Sequence, residues 1–336
     1  MRVLLDCGTT NTECFIVEND GTLIADGLFH FGVKDNGLKD DRVDYKAALR
    51  NVVFDTLASK GLKLSDIKGV TGFGMISSDL GLKNIPHSVA PITLQEQQAG
   101  VIDYDEDIFG SGIPFNIIRG VRNPLADDSF QSIDNIYSCD FMRGEEPQVV
   151  GVMSKYNPEE DFNVITFSSH LKIMNISRDH KLNNILTTMS GQIYDYLINS
   201  SIIAKSVVTN SDNERTMTDN EILNLAEDVM QRWGLMRSML FPRFMDYYTS
   251  LTSADRLRFV NAVICLEDMK AIAEYFGTGQ YSTKKYYFLG PDAWCSMFAL
   301  TLLKQHPMAE IEIISGKEKI REISILGALK LIEKHT

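Results

Sequence analysis

The chain has 336 residues, with 44% hydrophobic and 23% charged side chains and a formal net charge of −12. That length suits two domains rather than one simple core, and the composition is that of a globular protein. The negative balance argues against a protein that grips nucleic acid or an anionic membrane through bulk charge, although a local nest of amides can still bind an anion. The five cysteines, Cys7, Cys14, Cys139, Cys265 and Cys295, are odd in number and follow no metal-binding spacing, so reduced thiols are expected. The chain opens on a strand pattern with no basic region and apolar core before it, and no apolar run reaches about 20 residues. A cytoplasmic protein with no membrane partner is expected. Nothing in the chain sets its oligomeric state, and a homodimer is compatible with all of it.

Residues 1–31 read as two or three antiparallel strands with turns at Gly8-Thr9-Thr10 and Asn19-Asp20-Gly21. In the first turn an apolar run ends on Asp6, and Gly8, Thr9, Thr10 and Asn11 follow. Gly8 lets backbone approach a ligand, the amides and hydroxyls of Thr9, Thr10 and Asn11 suit phosphate oxygens, and Asp6 suits a Mg2+ that travels with a nucleotide. The same residues also suit an ordinary hairpin turn. No Walker P-loop occurs anywhere in the chain.

Apolar positions at helical spacing predict a helix over 42–60, and 69–76 reads as a strand running into a glycine-containing turn. In that turn Gly72-Phe73-Gly74-Met75 with Ser77 and Ser78 suits a substrate pocket or a tight crossover. Residues 88–102 and 112–119 mix strand and short helix. Arg143-Gly144-Glu145-Glu146 is a charged turn, with a helix expected to begin near Val149. There Arg143 can make a bidentate contact with a carboxylate and a glutamate can accept a hydroxyl proton, or the two acids can serve a solvated loop and the dipole of the coming helix.

A boundary is expected in the polar stretch 154–161, giving an N-terminal domain over 1–155 and a C-terminal domain over 160–336, the last helix packing back on the first. The second half opens on a strand at 163–167, a polar turn at Ser168-Ser169-His170-Leu171-Lys172 and another strand at 173–176, repeating the logic of the N-terminus. Ser169, His170 and Lys172 suit a second phosphate-contacting turn, or an ordinary polar hairpin. Residues 187–275 read as helices, 285–290 as a strand ending at Gly290, 293–303 as a helix, 310–314 as a late strand and 318–334 as a final helix. Gly290 suits the approach of an adenine or ribose, or simply a turn.

In this order the segments resemble the 2-dehydro-3-deoxygalactonokinase family, bacterial sugar-acid kinases of the actin/hexokinase/Hsp70 ATPase superfamily. Asp6-Cys7-Gly8-Thr9-Thr10-Asn11 is similar to D-W-G-T-T-N, and Gly74-Met75-Ile76-Ser77-Ser78, with Gly81-Leu82 and Pro86-His87, to G-M-I-G-S…G-W…P-Y. Met142-Arg143-Gly144-Glu145-Glu146-Pro147-Gln148 with Gly151 is similar to M-R-G-E-E-T-Q-x-x-G, the most specific match. Ser168-Ser169-His170-Leu171-Lys172 resembles G-T-H-S-K, and Thr188-Met189-Ser190-Gly191-Gln192 resembles T-x-M-T-G-E. The departures are Cys7 for Trp, Ser168 for Gly, Ile173 for Trp, Gln192 for Glu, and Pro291-Asp292 where small hydroxyl residues are usual.

The resemblance implies an α/β fold of two actin-like (ribonuclease H-like) ATPase domains, with mixed sheets flanked by helices and a cleft between them whose closure excludes water. It implies ATP-dependent phosphorylation of the C6 hydroxyl of 2-dehydro-3-deoxygalactonate, with ATP, Mg2+ and the sugar acid as partners. Asp6 would serve catalysis and hold Mg2+ through water. Gly8, Thr9, Thr10, Asn11, Ser169, His170, Lys172 and Gly290 would serve the nucleotide, Arg143, Glu146, Met75 and Ser78 the sugar acid, and Glu145 proton transfer. A nucleotide- or sugar-acid-binding sensor without turnover, or a kinase of another small sugar acid, stands as the alternative.

Overall fold

The N-terminal apolar strands need a partner on each side, and a parallel strand from 70–74 supplies the one that the hairpin leaves open. A computed structural model describes residues 1–34, 44–110, 112–127, 131–208, 215–276 and 283–333. The chain divides into two units: Met1–Glu159 with Ile176–Ile185 and Glu318–Thr336, and Glu160–Asn175 with Leu186–Lys317.

The first unit begins with β1 (Arg2–Cys7), β2 (Thr12–Val17) and β3 (Leu23–Phe29), followed by α1 (Tyr45–Ala58) and β4 (Val70–Gly74). Then come β5 (Ser88–Val89), β6 (Ile92–Thr93), α2 (Leu94–Ala99), β7 (Ile102–Asp103), β8 (Phe115–Ile117), β9 (Val121–Arg122), β10 (Phe141–Met142) and α3 (Glu146–Tyr156). Its main sheet runs β3-β2-β1-β4-β8-β7, and β5, β9 and β10 form a small second sheet. The β1–β2–β3 meander is antiparallel, while β4 lies parallel to β1 with Asp6 opposite Phe73 and Cys7 opposite Gly74. That register brings the ends of β1 and β4 to one edge, where the turn after each is exposed to chemistry. Asp44 starts α1 by accepting from the amides of Lys46 and Ala47. The helix expected over 42–60 is thus observed from Tyr45 to Ala58, and positions 42 and 43 lie outside the described residues.

The chain continues through β11 (Phe162–Phe167), β12 (Leu171–Ile176) and β13 (Lys181–Thr188), whose Lys181–Ile185 part belongs to the first unit, then α4 (Ser190–Asn199), α5 (Ala204–Val207), α6 (Asp219–Ser238), α7 (Phe241–Tyr248) and α8 (Ser253–Phe276) of the second unit. It continues with β14 (Lys285–Gly290), α9 (Asp292–Gln305) and β15 (Glu310–Ser315), and the chain returns to the first unit with α10 (Lys317–Leu331). The strand order of the second unit is β15-β14-β11-β12, with β14 parallel to both β11 and β15. Each unit is therefore a mixed sheet flanked by helices, opening on a hairpin.

Both sheets bury their faces. Val3, Leu5 and Ile16 pack with α1 on one side of the first sheet, and Leu4, Phe15 and Phe73 pack with Val150, Ile325 and Ala328 of α3 and α10 on the other. In the second unit Phe167, Ile173 and Phe288 form one core with Phe259, Val263 and Cys265 of α8. Burial on both faces makes the inner strands β1 and β14 mostly apolar, as their sequences read. Among the described residues no helix is long and apolar enough to cross a membrane.

The sequence reading departs from the structure in three places. The charged turn at 145–148 is the beginning of α3, because Pro147 fits a first helical turn that needs no amide there. The polar turn of the second unit spans only Ser168–His170, so Leu171 and Lys172 belong to β12. Residues 181–188 form a third strand whose mixed polar surface carried no clear alternation.

Candidate active site

In the first unit the ends of β1 and β4, the turn after β4 and the loop before α3 converge. Gly74 has φ +82°, and a Cβ there would stand 2.6 Å from the carbonyl oxygen of Cys7 and 3.5 Å from Oδ1 of Asp6. Gly144 has φ +112°, and a Cβ on it would stand 3.2 Å from the Cα of Gly74. Only residues without a side chain allow this backbone-on-backbone stacking. It brings the carboxylate of Glu145 into the field of Asp6.

Asp6 is partly buried at the strand end. Loss of hydration, then the negative charges of Glu13, Glu145 and Glu146, push its pKa up to about 7. Arg143 is half-buried beside them. One terminal nitrogen donates to Ser77 Oγ at 2.7 Å and the other to the carbonyl oxygen of Ile85 at 2.8 Å, with His87 Nδ1 at 3.5 Å. Burial lowers its pKa, and the charges of Glu146 and Asp79 work in the opposite direction.

Glu146, expected to serve the sugar acid, has both oxygens engaged by backbone amides. It is 2% exposed, and its two oxygens accept from the amides of Val121 (3.1 Å) and Gly144 (2.7 Å). A carboxylate so engaged holds the 143–145 loop to β9. Ser78 also turns away, since it is buried and donates to the carbonyl of Met75 at 2.7 Å. The serine that reaches Arg143 is Ser77. Met75 is partly exposed in the turn itself. Sequence names Ser77 and Ser78 together as pocket residues without separating them, and the Ile85 carbonyl carries no motif signal, whereas Pro86-His87 is visible.

The first turn is held by its backbone. Gly8 N donates to Asn11 O at 2.8 Å, and the amides of Val33 and Lys34 donate to the carbonyls of Gly8 and Thr9. This leaves Thr9, Thr10 and Asn11 exposed, with Asn11 Oδ1 3.1 Å from His30 Nδ1.

In the second unit the Ser168–His170 turn sits on the start of α4. Gln192 N donates to Ser169 O at 2.8 Å, His170 Nδ1 lies 3.1 Å from Ser169 Oγ and His170 Nε2 lies 3.3 Å from Gln192 Nε2. Burial, then the charge of Lys172, lowers the His170 pKa. Ser169 is exposed, His170 partly so. Lys172 and Gly290 are both buried. Lys172 is 8% exposed within β12, with Nζ 3.2 Å from Thr187 Oγ1, so it does not stand in the turn. Gly290 is buried, and a Cβ on it would lie 2.5 Å from the Cβ of Phe167, so a neighbouring strand already requires the glycine.

Residues 6–310 match the model of the 2-keto-3-deoxy-galactonokinase family. The chain belongs to this family. The 2-keto and 2-dehydro names describe the same oxidation state, and membership makes the chain a phosphotransferase acting on a sugar hydroxyl. Among solved structures this kinase-family chain is similar to a Sinorhizobium meliloti protein described as a "putative 2-dehydro-3-deoxygalactonokinase", with TM-score 0.71, 17% identity and 98% of each chain covered. It is more distantly similar to Porphyromonas gingivalis acetate kinase (TM-score 0.48, 8% identity, 96% of this chain and 97% of that one). A third is a Streptomyces griseus ROK family glucokinase solved with glucose and AMPPNP (TM-score 0.44, 9% identity, 99% of each). No curated protein matches the chain. The fold is that of the Sinorhizobium meliloti protein.

For a divalent cation, the residues of this family member fit in the manner of a water-bound Mg2+. Among the described residues no three ligating side chains form a cage. Asp6 is nevertheless a carboxylate whose pKa is pushed up to about 7 by burial and then by three neighbouring acids, a donor environment that a cation relieves.

Proposed function

We propose that the protein transfers the γ-phosphoryl group of ATP to the C6 hydroxyl of 2-dehydro-3-deoxy-D-galactonate. The observation that carries the reading is Arg143, a guanidinium fixed by Ser77 Oγ and the Ile85 carbonyl on the same short loop as Glu145, whose charge acts on Asp6. A sugar acid offers one planar anion and one hydroxyl to be deprotonated, and this edge of the first unit offers a matching fork and bases. In this reading Arg143 pairs with the substrate carboxylate, and Glu145 orients the C6 hydroxyl and accepts its proton. Met75 stands in the turn that lines the sugar side. Glu146 keeps the loop in place and does not touch substrate.

The exposed Thr9, Thr10 and Asn11 serve phosphate oxygens in the first unit, and Ser169 and His170 do so in the second. Asp6 holds Mg2+ through water, and the cation when bound offsets the charge of the transferring phosphoryl group. Phosphoryl transfer requires mainly positioning and charge neutralisation, and the backbone bonds that clamp Gly8 and Asn11 limit the freedom of the first turn.

The test is ADP release with ATP, MgCl2 and a panel of 2-keto-3-deoxy sugar acids, with Asp6→Ala as the blank. Turnover on the galactonate-derived acid, reduced by roughly 10³ or more in the blank, is expected. A thermal shift with Mg-ATP but no ADP release across the panel would replace this reading by a sensor. Turnover on a different acid would move the substrate within the class.

A further inference from the structure

The second unit contains a cavity of about 390 Å³ between the start of α4, the C-terminal half of α8 and the α6–α7 bend. None of the roles given above uses it. Its walls are mainly aliphatic: Met189 and Ile193 from α4, Leu235 and Met239 from α6 and its end, Ile264 and Ala271 from α8. Two acids line it, Glu267 at the exposed margin and Asp268 inside. Asp268 is 3% exposed, and its Oδ1 accepts a hydrogen bond from Ser190 Oγ, which in turn lies 2.7 Å from Thr188 Oγ1. Its Oδ2 is buried and has no hydrogen-bond partner among the described residues. At the cavity margin Lys270 is engaged with Glu267 at 2.9 Å and is exposed, so it does not neutralise Asp268.

A buried carboxylate oxygen with an unmade hydrogen bond is costly, and native proteins keep such groups where something else completes them. Cavities of a few hundred Å³ with apolar walls and one or two placed polar groups are the usual form of a small-molecule site. An apolar wall selects an apolar body, and a lone buried acid selects a donor that also brings positive charge.

We propose that this cavity binds a small hydrophobic amine, with the ammonium donating to Oδ2 of Asp268 and the apolar body lying against Met189, Ile193, Met239 and Ile264. Burial pushes the Asp268 pKa up to about 6, and the Ser190 and Thr188 hydroxyls work against that rise, which keeps the carboxylate mostly ionised near neutral pH. The site is separate from the sugar-acid reading, because neither Arg143 nor Glu145 takes part in it. It also has an outlet. Ser190 opens the helix whose Gln192 amide and side chain hold Ser169 and His170, so occupation is felt at that turn.

The test uses the full chain and three isosteric probes, phenethylamine, 2-phenylethanol and propylbenzene, followed by the methyl signals of 13C-labelled methionine. Saturable shifts at Met189 and Met239 are expected with phenethylamine, at an affinity at least tenfold above propylbenzene, with the alcohol weaker than the amine. Asp268→Asn should erase the preference for the amine while retaining the hydrocarbon. Met239→Trp, which leaves Asp268 intact and fills the space, should abolish binding of all three. No saturable shift with any probe, equal affinity for amine and hydrocarbon, an alcohol binding as tightly as the amine, or an amine preference that survives Asp268→Asn would each overturn the proposal.

Discussion

Gly144 lies directly on Gly74: a Cβ built on the first would stand 3.2 Å from the Cα of the second. Both residues have positive φ, so the contact is one of backbone with backbone. A methyl on Gly144 must both accept a disfavoured dihedral and push the loop away from β4. Gly144→Ala is expected to cost about 1–3 kcal/mol of stability and to lower activity more than that loss explains, since the loop carries Arg143 and Glu145. Chemical denaturation measured beside kcat checks this.

Glu146 and Glu145 are adjacent in sequence and opposite in expected behaviour. Removing Glu146 strands the amides of Gly144 and Val121. Glu146→Ala should destabilise the protein by roughly 2–4 kcal/mol and lower its Tm by several degrees. Glu145→Gln should leave the unfolding free energy within about 1 kcal/mol of wild type while lowering kcat by roughly 10²–10⁴. Equal thermal effects from the two would contradict the division of roles.

Asp6 gives a pH dependence of definite sign. Its folded pKa, about 7, is above the ordinary value of 3.8. The folded state therefore binds the proton more tightly than the unfolded chain does, and stability falls as pH rises from about 4 to about 7. Asp6→Asn should raise Tm at pH 8, change it little at pH 4, and abolish turnover. MgCl2 should raise the Tm of wild type at pH 8 and not that of Asp6→Asn. Thermal melts across pH with and without the salt provide the check.

Ser77 and Ser78 are neighbours, and only Ser77 touches Arg143. Ser77→Ala should lower kcat/KM for the sugar acid about tenfold, near 1.4 kcal/mol, chiefly through KM, whereas Ser78→Ala should change it less than about threefold, under 0.7 kcal/mol. Arg143→Lys should exceed both, because a point charge cannot keep the Ser77 and Ile85 contacts and also pair with a carboxylate. Steady-state kinetics on the three variants distinguish these outcomes.

Gln192 stands where the resembled motif has an acid, against Nε2 of His170. Gln192→Glu places an opposite charge beside the imidazole and should raise the His170 pKa from its lowered position. An NMR titration of the imidazole measures it directly.

Much of this molecule is written locally. The apolar runs, the turns at Gly8 and Ser168, the strand ending at Gly74 and the Arg143-Gly144-Glu145-Glu146 segment are visible because strand alternation, turn chemistry and helix period act over a few residues. Motif order across the chain was enough for the fold class and the family. The third strand, 181–188, stayed hidden because its outward positions are polar and mixed. The roles of adjacent residues were equally hidden. Nothing local separates Glu146 from Glu145 or Ser78 from Ser77, nor shows that Lys172 lies within a strand and that Phe167 already requires Gly290. Those choices depend on which backbone amide, carbonyl or ring approaches from a distant part of the chain, and only tertiary packing determines that. Asp268 is the extreme case: in sequence it is one more acid on a helix, and three-dimensional packing makes it a buried carboxylate facing an apolar cavity.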